Sequence, residues 1–104
     1  MIIRGAQNIA PAEVEEVLAS YPGVLDCAVI GLPHAQLGEV PIACIVETPE
    51  RRVEASALLS YCRRYLSAYK VPESVHIVDE IPRTGSGKIQ RFLLSQRLQS
   101  TEQT

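Results

Sequence analysis

Two short runs rich in Val and Ile, Val24–Ile30 and Val40–Val46, are separated only by Gly31-Leu32-Pro33 and a Pro33–Glu39 connection that contains Gly38. A connection this short suggests an antiparallel pair. Leu25, Cys27 and Val29 alternate onto one face of the first run. The second run is uninterrupted and short, as expected of a largely buried strand. Helical periods flank the pair. Pro11 suits a first helical turn, and Val14, Val17, Leu18 and Tyr21 follow at spacings of three and four before Pro22-Gly23 ends the helix. After a polar loop over Thr48–Arg52, Ala55, Leu58, Leu59, Cys62, Tyr65 and Leu66 share one face of a helix predicted over 54–67, with Arg63 and Arg64 opposite. Val75, Ile77 and Val78 make a third strand that Ile81-Pro82 ends. A Gly/Ser loop, Thr84–Gly87, leads to a terminal helix over Ile89–Leu98, with Phe92, Leu93 and Leu94 as its apolar contacts. The tail 100–104 is expected to fray. The predicted fold is a small α+β domain: a roughly three-stranded, antiparallel-containing sheet covered by helices and preceded by a short extended or hairpin segment.

With 104 residues, 46% of them hydrophobic and 21% charged, the chain is the size of one ordinary globular domain. No apolar run reaches the length of a membrane span, and the start Met1-Ile2-Ile3-Arg4-Gly5 lacks signal-peptide features, so the expected location is cytoplasmic. The net charge of −2 excludes a generally basic nucleic-acid binder. That figure averages an asymmetric chain. Residues 1–50 carry one Arg against seven acids, and 51–104 carry nine Lys or Arg against five. Arg83, Lys88, Arg91 and Arg97 follow one another with no acid among them, so an anionic ligand is expected there; a solvated basic helix end is the alternative. Cys27, Cys44 and Cys62 each lie in an apolar pattern and read as reduced core cysteines. Neither a disulfide framework nor zinc-ligand spacing is present, and His34 and His76 are isolated, so no metal site is expected.

The segment Pro82-Arg83-Thr84-Gly85-Ser86-Gly87-Lys88-Ile89-Gln90-Arg91 concentrates the chemistry. Gly-Ser-Gly-Lys invites a P-loop reading, but that motif needs a glycine where Pro82 stands and a Ser or Thr where Ile89 stands. What remains is a flexible loop presenting a lysine near a helix start. Such a lysine is a mobile point charge, suited to an anion that develops in a transition state. A plain surface turn is the alternative reading.

Five pieces occur in one order: Ile2-Ile3-Arg4-Gly5-Ala6-Gln7-Asn8-Ile9, Pro11-Ala12-Glu13-Val14-Glu15, the Gly31-Leu32-Pro33 to Gly38-Glu39 loop, Tyr69-Lys70-Val71-Pro72, and Pro82–Lys88. Together they cover nearly the whole chain, which resembles the C-terminal domain of the adenylate-forming (AMP-dependent) acyl-CoA synthetase and ligase family. The resemblance implies that residues 1–99 are such a domain. It also implies that the large N-terminal domain, holding most of the ATP, Mg2+ and acyl sites for a fatty or aryl acid, is absent from these residues. The isolated domain is then expected to be inactive.

In that family a carboxylate attacks the α-phosphate of ATP to give acyl-adenylate and pyrophosphate, the thiol of CoA then displaces AMP, and the C-terminal domain rotates between the two steps. The resemblance makes Lys88 the catalytic lysine between carboxylate and α-phosphate. It makes Gly5 the glycine approached by the pantetheine arm of CoA, with Arg4, Ala6 and Gln7 in the same loop. Ala6 stands where a second glycine is usual, which puts the local backbone in question. Arg83 and Arg91 could contact CoA phosphates or simply complement the terminal helix. For Lys70 a structural or peripheral phosphate role is favoured over a catalytic one, and for Glu39 a loop or domain-contact role over that of a general base. The expected partners are the chain's own N-terminal domain, CoA and acyl-adenylate, with no nucleic acid and no membrane span. An adenylation enzyme loading a carrier-protein thiol is the alternative within the superfamily; a non-catalytic phosphate- or RNA-binding module is the alternative outside it.

Overall fold

In a computed structural model, which describes residues 1–102, the side chains of 100–102 excepted, the two Val/Ile-rich runs form the longest pairing. Strand β3 (Val24–His34) lies antiparallel to β4 (Gly38–Glu47) from Val24↔Glu47 to His34↔Gly38. Ahead of them come β1 (Ile2–Arg4), β2 (Gln7–Ile9) and helix α1 (Pro11–Ala19). After them come α2 (Ala55–Tyr65), a 3-10 turn at Ala68–Lys70, β5 (Ser74–Ile77) and α3 (Arg91–Glu102). Central strand β4 has β3 on one side. On its other side lie β1, paired at Arg4↔Gly38, and β5, paired in parallel over Ile42–Ile45. The α+β class and the antiparallel pair are as expected. The sheet has five strands because the opening hairpin joins it.

Alternation along β3 and β4 splits the core in two. Cys27, Val29, Ala43 and Ile45 face α1 and α2, where they meet Val14, Leu18, Leu58 and Cys62. Ala28, Ile30, Ile42 and Cys44 face α3 and meet Leu94 and Leu98. The sheet is therefore covered on both faces. Burial pushes the Cys44 thiol up to about 12 and Cys27 to about 11, and raises Cys62 as well.

Several boundaries differ from the sequence reading. The expected stop at Gly31-Leu32-Pro33 is instead strand. The N–H and C=O of Val29 face the open edge of β3, and by alternation so does the imide nitrogen of Pro33, so its missing N–H breaks no ladder bond. Pro41 is tolerated within β4 for a related reason. Its carbonyl accepts the Glu73 N–H on the side away from β3, between the places where β1 and β5 pair. Leu25 is 63% exposed because the register shifts between Val24 and Asp26 and leaves it opposite no partner. Phe92 is 77% exposed, and Leu94 and Leu98, one helical turn apart, take the place expected for it in the core. Ala55 and Tyr65 also lie outside the core. Tyr65 instead packs on Tyr61, which meets Tyr21 edge to face. The third strand covers Ser74–Ile77 and the terminal helix starts at Arg91. The tail expected to fray over 100–104 involves residues 103–104 and side chains that lie outside the described residues.

Candidate functional site

The loop expected to be flexible is a closed hairpin. Arg83 and Ile89 form an antiparallel bridge, the Thr84 N–H donates to the Lys88 carbonyl, and the Gly87 N–H donates to the Thr84 carbonyl. Gly87 has φ of +90°, while Gly85 and Ser86 have negative φ. This is the three-residue hairpin loop in which a tight turn is followed by a left-handed glycine. Thr84 Oγ1 accepts the Lys88 N–H at 3.2 Å, and the Arg83 guanidinium reaches the Gly87 carbonyl at 3.1 Å and the Asp26 carboxylate at 2.7 Å. A fixed base therefore carries an exposed Lys88, whose ammonium has no ion-pair partner among the described residues.

At the start of the chain, Arg4-Gly5-Ala6-Gln7 is the two-residue turn between β1 and β2. Gly5 has φ of +59° and Ala6 has negative φ. A hairpin turn with positive φ at its first central residue alone is type II′, so alanine fits the second position without strain. The Gly5 N–H donates to the Leu37 carbonyl. A cleft of about 500 Å³ opens here between Arg4, Gly5, Ala6 and Gln7 on one side and Leu37, Ala68 and Tyr69 on the other. By sequence the first four are candidate site residues, whereas Leu37 and Tyr69 occur only as parts of motifs and Ala68 in none. Leu37 reaches the cleft through the β3–β4 turn, and Ala68 and Tyr69 reach it through the 3-10 turn.

Arg4, Arg83 and Arg91 are engaged within the domain. Arg4 donates to the Tyr69 carbonyl at 3.0 Å and reaches Glu73 at 3.4 Å. Arg91 holds both oxygens of Glu15, at 2.9 and 2.8 Å, and its Nε–H donates to the Val29 carbonyl. Glu15 in turn accepts the Val29 N–H. Arg83 and Arg91 are thus each paired with a carboxylate of the domain. Lys70 pairs with Glu13 at 2.8 Å and lies over the Tyr69 ring; the hydrogen bond to Glu13 raises its pKa. Among the described residues, no group of three or more His, Cys, Asp or Glu is placed to hold a metal ion, and no helix is long and apolar enough to cross a membrane.

The two hairpins stand on anchors far apart. One is tied to Asp26, near the start of β3; the other is tied to Leu37, beyond its end at His34. Eight residues of extended chain between Asp26 and His34 correspond to about 26 Å.

Comparison with known proteins gives the arrangement a context. Residues 13–88 match the AMP-binding enzyme C-terminal domain. A feruloyl-CoA synthase from Amycolatopsis sp is 52% identical over 89 residues, covering 86% of this chain and 18% of that protein. Among solved structures, a fatty acyl CoA synthetase from Mycobacterium tuberculosis superposes with a TM-score of 0.88 at 39% identity, over 97% of this chain and 20% of that one. ATP-bound MatB from Rhodopseudomonas palustris gives 0.87 at 33% identity, over 93% and 19%. The chain spans about a fifth of the length of these proteins.

Proposed function

The chain belongs to the family of AMP-binding enzyme C-terminal domains of acyl-CoA ligases, and from that premise we propose that residues 1–99 form the mobile domain of an AMP-forming acid-thiol ligase, serving its two half-reactions with two different hairpins. In the first half-reaction a carboxylate oxygen attacks the α-phosphorus of ATP and pyrophosphate leaves. Two anions must approach each other, and the Lys88 ammonium lies between them and offsets their repulsion. In the second, the sulfur of CoA attacks the acyl carbonyl of the adenylate, the acyl–oxygen bond breaks, and AMP leaves. The cleft beside Gly5 then admits the pantetheine arm, because a residue without a side chain leaves the path open. Mg2+ accompanies ATP on this reading, but these residues offer it no ligand set and no step here passes through it.

One observation carries the proposal: the exposed lysine and the Gly5 turn stand on two separate hydrogen-bonded hairpins, one tied to Asp26 near the start of β3 and the other to Leu37 past its end. Two such loops serve one reaction centre in turn if the domain rotates between steps. The acyl site, most of the nucleotide site and any cytoplasmic partner surface then belong to a larger N-terminal domain, and the 104-residue chain alone makes no thioester. The intact ligase tests the assignment. Acid-dependent exchange of pyrophosphate into ATP, together with AMP release that requires free CoA, is the expected result. Release that requires a pantetheinyl carrier protein and ignores CoA would place the chain in a carrier-loading enzyme instead.

A further inference from the structure

The opening hairpin has little backbone pairing to the rest of the sheet. Its β1 strand meets β4 only at Arg4↔Gly38. Further along, where a ladder would put the Ile3 N–H against a β4 carbonyl, a side chain stands in its place: Glu39 Oε1 accepts that N–H at 3.1 Å. Room for the Glu39 carboxylate is supplied by Gly31, where a Cβ would lie 2.9 Å from Glu39 Oε2 and 3.2 Å from Ile2 Cγ1. No ion pair ties Glu39 to a cation among the described residues. Its carboxylate therefore acts as an acceptor rather than as a charge partner.

The same turn holds Gly5. His34 Nδ1 accepts the N–H groups of Gln36 at 3.2 Å and Leu37 at 3.1 Å, which closes the His34–Gly38 turn and fixes the direction of the Leu37 carbonyl. That carbonyl accepts the Gly5 N–H at 2.6 Å, and the Leu37 side chain stands 3.7 Å from where a Gly5 Cβ would be. A two-stranded hairpin has little stability by itself, so its aim is set by what it is tied to.

We propose that the turn between β3 and β4 aims the Gly5 hairpin, with Glu39 and His34 as positioning residues for the thiol-transfer step. The consequence for catalysis rests on the role given above to Gly5; the positioning does not. The Glu39 side chain touches no reacting atom and works through Ile3, and His34 works through Leu37.

The test uses the intact ligase and three variants, Glu39→Ala, Glu39→Gln and Gly31→Ala. Backbone amide exchange over residues 1–9 is followed by mass spectrometry. KM for CoA is measured with supplied acyl-adenylate, and pyrophosphate release is measured separately. Removing the acceptor, or crowding it with the Gly31→Ala methyl group, should speed exchange in the hairpin roughly tenfold and raise KM for CoA to a similar extent, with pyrophosphate release unchanged. Glu39→Gln keeps an acceptor oxygen and should behave like the parent. Unchanged exchange in Glu39→Ala would overturn the proposal whatever Gly31→Ala does, since its methyl group also meets Ile2, as would a Glu39→Gln variant as impaired as Glu39→Ala. If Glu39→Ala does not fold, Glu39→Leu, which keeps the bulk and lacks an acceptor, takes its place and decides. Faster exchange with an unaltered thioester step would uphold the positioning and contradict the role assigned to Gly5.

Discussion

Gly87 occupies a backbone conformation, φ +90°, that an L side chain adopts only under strain, although nothing lies within 4 Å of where its Cβ would be. Gly87→Ala therefore tests conformation without steric clash. It should cost about 1 kcal/mol or more in folding stability. Adenylate formation should fall further than that loss explains, because the hairpin is the base on which Lys88 stands; urea unfolding beside pyrophosphate release measures both. The three cysteines give a second prediction at this scale. An unfolded thiol ionises near 9.0, whereas burial holds Cys27 up to about 11 and Cys44 up to about 12, the Glu15 and Asp26 carboxylates adding to the effect at Cys27. Between those values the unfolded chain binds fewer protons than the folded one, so stability falls as pH rises through that window. Urea midpoints should decline from pH 8.5 to 10, with no thiol labelling of the folded protein at pH 7; a flat midpoint would contradict the burial.

At the scale of elements, the edge of β3 is the instructive case. The Val29 N–H and C=O face outward from the sheet, and each is met by a side chain, Glu15 from α1 and Arg91 from α3. The Glu15–Arg91 pair joins helices from opposite faces of the sheet and covers an exposed edge. Arg91→Ala or Glu15→Ala should each destabilise by about 1–3 kcal/mol, since either leaves a partly buried charge and a Val29 backbone group without its partner. The double variant should cost less than the sum, which a urea double-mutant cycle would show. Neither residue announces this role in the sequence. Glu15 lies among three acids in the early turns of a helix and Arg91 in a basic run, and their separation of 76 positions is visible only once β3 lies between them. Local patterns, by contrast, were legible: the Val/Ile runs, Pro11 at a helix start and the Gly/Ser loop each name their element through short-range chemistry. Leu25 and Phe92 misled because a register shift and a helix's rotation are decided by tertiary packing, which hydrophobicity alone does not encode. The Ala6 position was ambiguous in sequence and is resolved by the turn type, which requires a positive φ at Gly5 only.

For the whole molecule, the proposed function has two hairpins of one domain divide the labour of the two half-reactions. Motif order along the chain identified both, but their separation depends on the length of β3, which the sequence reading ended too early at Gly31. Substitutions in the intact ligase separate the two roles. Lys88→Ala should slow pyrophosphate release about a hundredfold or more, the usual consequence of removing a charge-stabilising donor from a reaction centre. Gly5→Leu places a side chain on a left-handed residue at the mouth of the cleft and should impair thioester formation. The direct measurement is therefore pyrophosphate release set against CoA consumption from supplied acyl-adenylate, in both variants. A crossed result is expected: Lys88→Ala loses the first and keeps the second, and Gly5→Leu does the reverse. Equal loss of both half-reactions in both variants would contradict that division of labour.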